Sequence, residues 1–145
     1  MPALLIKYLQ VHESALSPEI RSAWETAGAK SNGSWQQIFG NTTFTDDLFM
    51  AWHFATYLNA VTAAGKAEYP IPMFVNAALI RPNYLPGQYN SGGPLPHSFD
   101  IWHAAAPNVD LLCLHSISSA SPIQRIDWTT LQSPTFTANC TASPR

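Results

Sequence analysis

The residues whose types and spacing could carry chemistry are few: Asp46 and Asp47, Glu68, Asn76, and the trio His97, Asp100 and His103. The trio falls at three-residue intervals where a helix is expected to begin, so one helical turn would bring Asp100 beside either imidazole, an arrangement suited to moving a proton. Helix capping and surface polarity explain the same spacing without any reaction, and neither histidine has a second one four residues away to complete a helical zinc site. Asp46 and Asp47 are adjacent, hence about 100° apart on a helix. They suit the positive end of a helix dipole better than a catalytic pair. Asn76 closes an otherwise apolar run, and the C-terminal ends of strands are where α/β proteins place their sites. A structural hydrogen bond is the simpler use of it. Glu68 has no partner group in the sequence pattern.

Around these residues lies a chain of 145 residues, 46% hydrophobic and 11% charged, with a formal net charge of -2. That length supports one core. The charge balance offers no excess of Lys and Arg for a phosphate backbone or an anionic membrane, so nucleic acid and membrane are not expected partners. No apolar run reaches the roughly 20 residues of a bilayer span, and the start, Met1 to Lys7, lacks the pattern of a signal peptide. Cys113 and Cys140 form no Cys-x-x-Cys pair and are read as incidental or structural. Sequons at Asn32, Asn41 and Asn139 would matter only in a secreted protein, and localisation stays open. No phosphate loop or Gly-x-Ser-x-Gly elbow is present, and no metal or cofactor is implied.

The elements that must position these groups read as follows. Ser17-Pro18-Glu19 starts a helix that ends near Gly28. Thr45 caps a second helix, closed by Gly65-Lys66, whose Ala51, Phe54, Ala55, Leu58 and Val61 form the core-facing stripe while His53, Thr56 and Asn59 lie elsewhere. Ile71 to Ala77 fits a buried parallel strand. Arg81 to Pro96, rich in Pro and Gly, is a long shaped loop. Ser98 to Ala106 is a helix and Val109 to Leu114 a second buried strand. This alternation predicts an α/β fold. Residues 116–145 hold no further strand-helix alternation and read as a Ser/Thr/Pro-rich tail.

Several segments carry a family likeness. Asp47-Leu48-Phe49-Met50-Ala51-Trp52-His53-Phe54-Ala55, the run Ala64 to Ala77, Pro86-Gly87-Gln88-Tyr89-Asn90-Ser91-Gly92-Gly93-Pro94 and the run Asp100 to Asp110 resemble β-galactosidase-like hydrolases related to glycoside hydrolase families 35 and 42. The likeness covers about Pro2 to Leu112, including Gly33 to Gly40. After Leu112 it stops abruptly, which points to a frameshift or altered splice near Cys113.

The resemblance implies a fold, part of a (β/α)8 barrel running from the helix before its fifth strand through its sixth, over residues 1–115 with the tail outside it. It also implies hydrolysis of terminal galactosides by two Glu residues about 5 Å apart. The family's acid/base Glu falls before Pro2 and its nucleophile beyond Leu112, so no catalytic residue is assigned and the chain is expected to be inactive alone. Asn76 and Tyr89, on the rim of the sugar site, are the implied substrate-binding residues, and a galactoside or oligosaccharide the implied partner. Uncovered barrel edges would favour self-association. The other function classes left open are a non-catalytic carbohydrate-binding or interaction protein and, least supported, a small enzyme built on His97, Asp100 or Glu68.

Overall fold

A computed structural model describes residues 1–78, 84–115 and 140–142. The start of the Pro/Gly-rich loop at 81–83, Asn139 and most of the tail lie outside that set. Among the described residues, five α-helices run in chain order: α1 (Ala3–Val11), α2 (Pro18–Thr26), α3 (Trp35–Phe39), α4 (Thr43–Glu68) and α5 (Phe99–Ala105). Three short strands are described beside them: β1 (Phe74–Ala78), β2 (Leu111–His115) and β3 (Cys140–Ala142). No helix among the described residues is long and apolar enough to cross a membrane.

Local sequence explains where the helices start. Pro18 occupies the first turn of α2, where a missing N–H costs nothing, and Glu19 adds a favourable charge there. At α3, the Ser34 hydroxyl accepts from the Gln37 amide while the Gln37 side chain accepts from the Ser34 amide, a reciprocal cap. The long helix begins earlier than the sequence suggests. Its cap is Thr42, whose hydroxyl accepts from the Thr45 amide. Thr45 is a buried first-turn residue that donates to the Gly40 carbonyl at 2.7 Å. At the far end α4 runs through Gly65 to Glu68 instead of closing there, with the Tyr69 amide bonded back to the Gly65 carbonyl.

The expected core stripe of α4 is also rotated. Leu48, Ala51, Trp52, Ala55 and Thr62 are buried, whereas Phe54 and Val61 are 44% and 47% exposed. With Met50 and Tyr57 they make a second apolar stripe facing away from the core. A helix apolar on two sides has no single strong periodicity, which is why sequence spacing alone misplaced its buried face. The core itself is mostly helix against helix: Leu5 and Leu9 of α1, Ile20 and Trp24 of α2, Trp35 and Ile38 of α3, and Ile101 and Trp102 of α5 meet the buried face of α4.

The sheet is small. β1 and β2 pair in parallel, with Phe74 opposite Leu111 and Asn76 opposite Cys113, and α5 lies in the connection between them. The strands start close to the expected positions, and a brace from α4 sets their register. Lys66 Nζ reaches the Asn108 carbonyl at 2.7 Å and the Asp110 carboxylate at 2.5 Å, while Asp110 accepts from the Met73 amide at 2.8 Å. Asn59 accepts from both the amide and the side chain of Asn108. The polar α4 positions near its C-terminal half therefore hold the strand starts.

The barrel expectation is overturned. Helices predominate, and among the described residues β1 and β2 are the one parallel pair. The edge of β2 that would accept a further parallel strand is taken by β3, antiparallel, with Leu112 opposite Thr141. Nor are the strands buried on both faces: Val75 and Leu112 pack on the helices, while Phe74 and Asn76 are exposed and Leu111 is 37% exposed. A barrel buries its apolar side chains in layers between strands; here the large side chains are spent on helix packing.

Candidate functional site

The densest polar cluster centres on Asp47. Helical phase puts this residue four before Ala51 and eight before Ala55, so the carboxylate faces inward and is 1% exposed. Three donors converge on it. The Gly92 amide donates to Oδ1 at 2.7 Å, and His97 Nε2 and the Tyr89 hydroxyl donate to Oδ2 at 2.7 and 3.1 Å. All three come from the segment between Tyr84 and Ser98, so one buried carboxylate ties the Pro/Gly-rich loop to α4. A second set of bonds ties it to α5: Trp102 Nε1 donates to the Gly92 carbonyl at 3.2 Å and the Ser98 hydroxyl donates to the Gly93 carbonyl at 2.8 Å.

Gly92 is required at the centre of this arrangement. Its φ is +88°, and a Cβ there would lie 2.6 Å from the Phe54 ring and 3.0 Å from the Met50 backbone. Phe44 flanks His97 with ring centroids 5.7 Å apart.

The electrostatics follow from this geometry. Burial pushes the Asp47 carboxyl up, but the hydrogen bond from His97, that of the Gly92 amide, the His97 charge and the Tyr89 hydroxyl outweigh it and hold the group below the usual carboxylate value. Burial, then the Asp47 charge and hydrogen bond, push the Tyr89 hydroxyl well above its ordinary value. Tyr89 is thus a neutral donor whose proton is already directed at Asp47, leaving its ring as the group to offer a ligand.

A second cluster sits where α1, α5 and the start of α2 meet. The Asp100 carboxylate accepts from the Ser17 amide at 2.8 Å. Tyr8 and His12 stack at 4.1 Å between centroids, and His12 Nδ1 donates to the Tyr8 carbonyl. Burial and then the Asp100 charge push the Tyr8 hydroxyl up to about 12. Among the described residues, His103 Nε2 is buried without a hydrogen-bond partner, as are Ser17 Oγ and Arg21 Nε. Burial lowers the His103 pKa, with Asp100 opposing and His12 adding to the shift. A wide groove of about 460 Å³ lies nearby between α1 and α2, lined by Gln10, Val11, Glu13, Ser14, Arg21 and Glu25.

The residues singled out in the sequence are therefore divided among several places. His97 joins Tyr89 at Asp47, whereas Asp100 and His103 belong to the α1–α5 junction. Asn76 is exposed in the middle of β1, which continues to Ala78. No hydrogen bond joins it to Tyr89 among the described residues. Asp46 is exposed in the first turn of α4, as expected of a dipole-directed charge. Asp47 was missed as a site residue, although its phase with Ala51 and Ala55 is visible in the sequence. Among the described residues no group of three or more His, Cys, Asp or Glu is placed to hold a metal ion.

No family model matches the chain, and no curated protein matches it either. The likeness to β-galactosidase-like hydrolases accordingly rests on the motifs quoted from the sequence.

Proposed function

We propose that this chain derives from the β-galactosidase-like glycoside hydrolases and binds galactosides or related oligosaccharides without cleaving them. The reading rests on the motif likeness and on one structural observation: the Tyr89 loop is a shaped segment anchored at a buried carboxylate, so its aromatic ring is held in place before any ligand arrives. Preorganised aromatic rings lower the entropic cost of binding.

Hydrolysis with retention needs two carboxyl groups about 5 Å apart across the sugar, one of them free to attack carbon. Among the described residues, the carboxylates that are not exposed are engaged otherwise. Asp47 receives three donors, Asp100 receives the Ser17 amide, and Asp110 receives Lys66 and the Met73 amide. A carboxylate held by several hydrogen bonds is a weak base and a weak nucleophile.

Titration calorimetry with lactose and methyl β-galactoside tests this, alongside a chromogenic galactoside assay. The expected outcome is weak binding reduced at least tenfold in Tyr89→Ala, with no turnover above buffer. Turnover that survives repurification, or an absence of binding to both sugars, overturns the reading.

A second reading, an interaction module, is favoured by the outward stripe of Met50, Phe54, Tyr57 and Val61, which is 39% to 66% exposed. Such a stripe on one helix face suits association with a second copy of the chain. Analytical ultracentrifugation of the wild type and Tyr57→Lys distinguishes it: a dimer lost in the variant supports it, and a monomer at all concentrations removes it.

A further inference from the structure

One imidazole in the Asp47 cluster keeps a ring nitrogen for other use. The Asp47 carboxylate is held below the usual carboxylate value and can only accept, so the hydrogen in its 2.7 Å contact with His97 lies on Nε2. In the neutral imidazole the other nitrogen, Nδ1, then carries a lone pair. Among the described residues, every hydrogen bond of the His97 side chain runs through Nε2. Nδ1 is not among the buried unpartnered atoms, so the 11% of this side chain that solvent reaches includes it.

The surroundings of Nδ1 narrow the chemistry that suits it. The rings of Tyr89 and Phe44, both partly exposed, adjoin the imidazole with centroids 6.1 and 5.7 Å away. Asp47 occupies Nε2 and the Tyr89 hydroxyl. What is left for a ligand is one hydrogen-bond acceptor beside two aromatic rings. A sugar brings the matching groups, C–H faces that pack on an aromatic ring and hydroxyls that donate. A carboxylate or phosphate brings acceptors to an acceptor, close to the buried Asp47 charge.

We infer that His97 Nδ1 is the polar contact that orients the ligand, accepting a hydrogen bond from one sugar hydroxyl while the Tyr89 ring packs on the sugar's C–H face. This rests on the galactoside-binding reading above and adds to it the residue that tells one hydroxyl from the others. Asp47 is a positioning residue in this arrangement: its bond to Nε2 fixes both the tautomer and the rotation of the ring. A site that hydrogen-bonds a hydroxyl discriminates against the analogue that lacks it, because the acceptor is left unpaired.

His97→Gln is the informative variant, since the Gln amide can still donate to Asp47 but supplies no acceptor in the place of Nδ1. Circular dichroism and urea denaturation establish that it folds. Titration calorimetry on the full chain compares methyl β-galactoside with its monodeoxy analogues, each lacking one hydroxyl. In the wild type one analogue is expected to bind roughly three- to tenfold more weakly than the parent sugar. In His97→Gln the parent falls to that level and the same analogue no longer differs from it.

Long-range proton–nitrogen NMR correlation on the wild type gives a second readout that needs no variant. It should show Nε2 protonated and Nδ1 unprotonated, with the Nδ1 resonance moving when the parent sugar is added and not when the weakened analogue is. A proton on Nδ1, or equal affinity of wild type and His97→Gln for the parent sugar, overturns this inference and leaves the galactoside reading standing. Failure of the wild type to bind methyl β-galactoside removes the reading and this inference with it.

Discussion

The carboxylate of Asp47 and the imidazole of His97 lie 2.7 Å apart, although the two residues are 50 positions apart in the chain. That contact, together with the Gly92 amide and the Tyr89 hydroxyl, converts a loop made of turn-forming residues into a fixed feature of the surface. Removing Asp47 leaves three donors facing an apolar helix. Asp47→Ala should destabilise the fold by roughly 3 kcal/mol, as loss of one partner from a buried charged network does. Urea denaturation followed by Trp fluorescence measures it, and a loss below about 1 kcal/mol would show that water replaces the carboxylate at little cost. His97→Gln should cost less, since Gly92 and Tyr89 keep their acceptor.

Gly92 and Gly40 share a positive φ, +88° and +86°, but differ in surroundings. A Cβ at Gly40 meets nothing within 4 Å, whereas at Gly92 it meets Phe54, Met50 and backbone. Gly40→Ala should therefore lose only the backbone preference, which at φ +86° and ψ 168°, a region almost confined to glycine, is about 1–3 kcal/mol. Gly92→Ala should lose more and should also displace the loop. Equal midpoints for the two variants in urea would contradict the crowding at Gly92.

Acid should act on two groups in separate ranges. His103 has a depressed pKa in the folded state, so between that value and the unfolded value near 6.5 the unfolded chain binds more protons. Stability is full above about pH 6.5 and falls as the pH drops toward the folded pKa. Asp47 is also depressed, so its contribution is full above the unfolded carboxylate range and is lost only as the pH falls through its lower folded value. Denaturation midpoints followed from pH 8 down to about pH 2 should decline first near pH 6.5 and again in the acid range where Asp47 takes up its proton. In His103→Gln that first decline should flatten while the acid limb remains, and an unchanged profile would remove His103 from the account.

The brace at the strand starts separates an ion pair from a hydrogen bond. Lys66 and Asp110 are about a quarter exposed, which limits their attraction to under about 1 kcal/mol. Lys66→Met should therefore cost little. Asp110→Ala also strands the Met73 amide and should cost roughly 1 kcal/mol more, with faster amide exchange at the start of β1. The same cost for both variants would mean that the ion pair, and not the backbone bond, carries the brace.

Much of the local structure was legible in the residues themselves. Ser17-Pro18-Glu19 marks the start of α2, the turn residues from Pro86 to Pro96 mark the loop, and the apolar runs around Val75 and Leu112 mark the parallel pair. These signals act over a few residues, through caps, fixed φ angles and missing amide donors, and need no knowledge of distant chain. The second apolar stripe of α4 was not legible as such, because periodicity shows which positions are apolar and not which of two apolar faces finds a partner.

The site divided in the same way. The sequence by itself determined that His97, Asp100 and His103 lie near one helix start, that Tyr89 sits in a Pro/Gly-rich loop, and that Asp47 is in phase with Ala51 and Ala55. Only the tertiary structure decided that Asp47 receives the loop and that Asp100 and His103 belong to a different junction. It also decided against a barrel. Each of these outcomes depends on contacts between residues far apart in sequence, whose formation is set by how helices share a limited apolar core and by which strand takes the free sheet edge. Local propensity contains neither quantity.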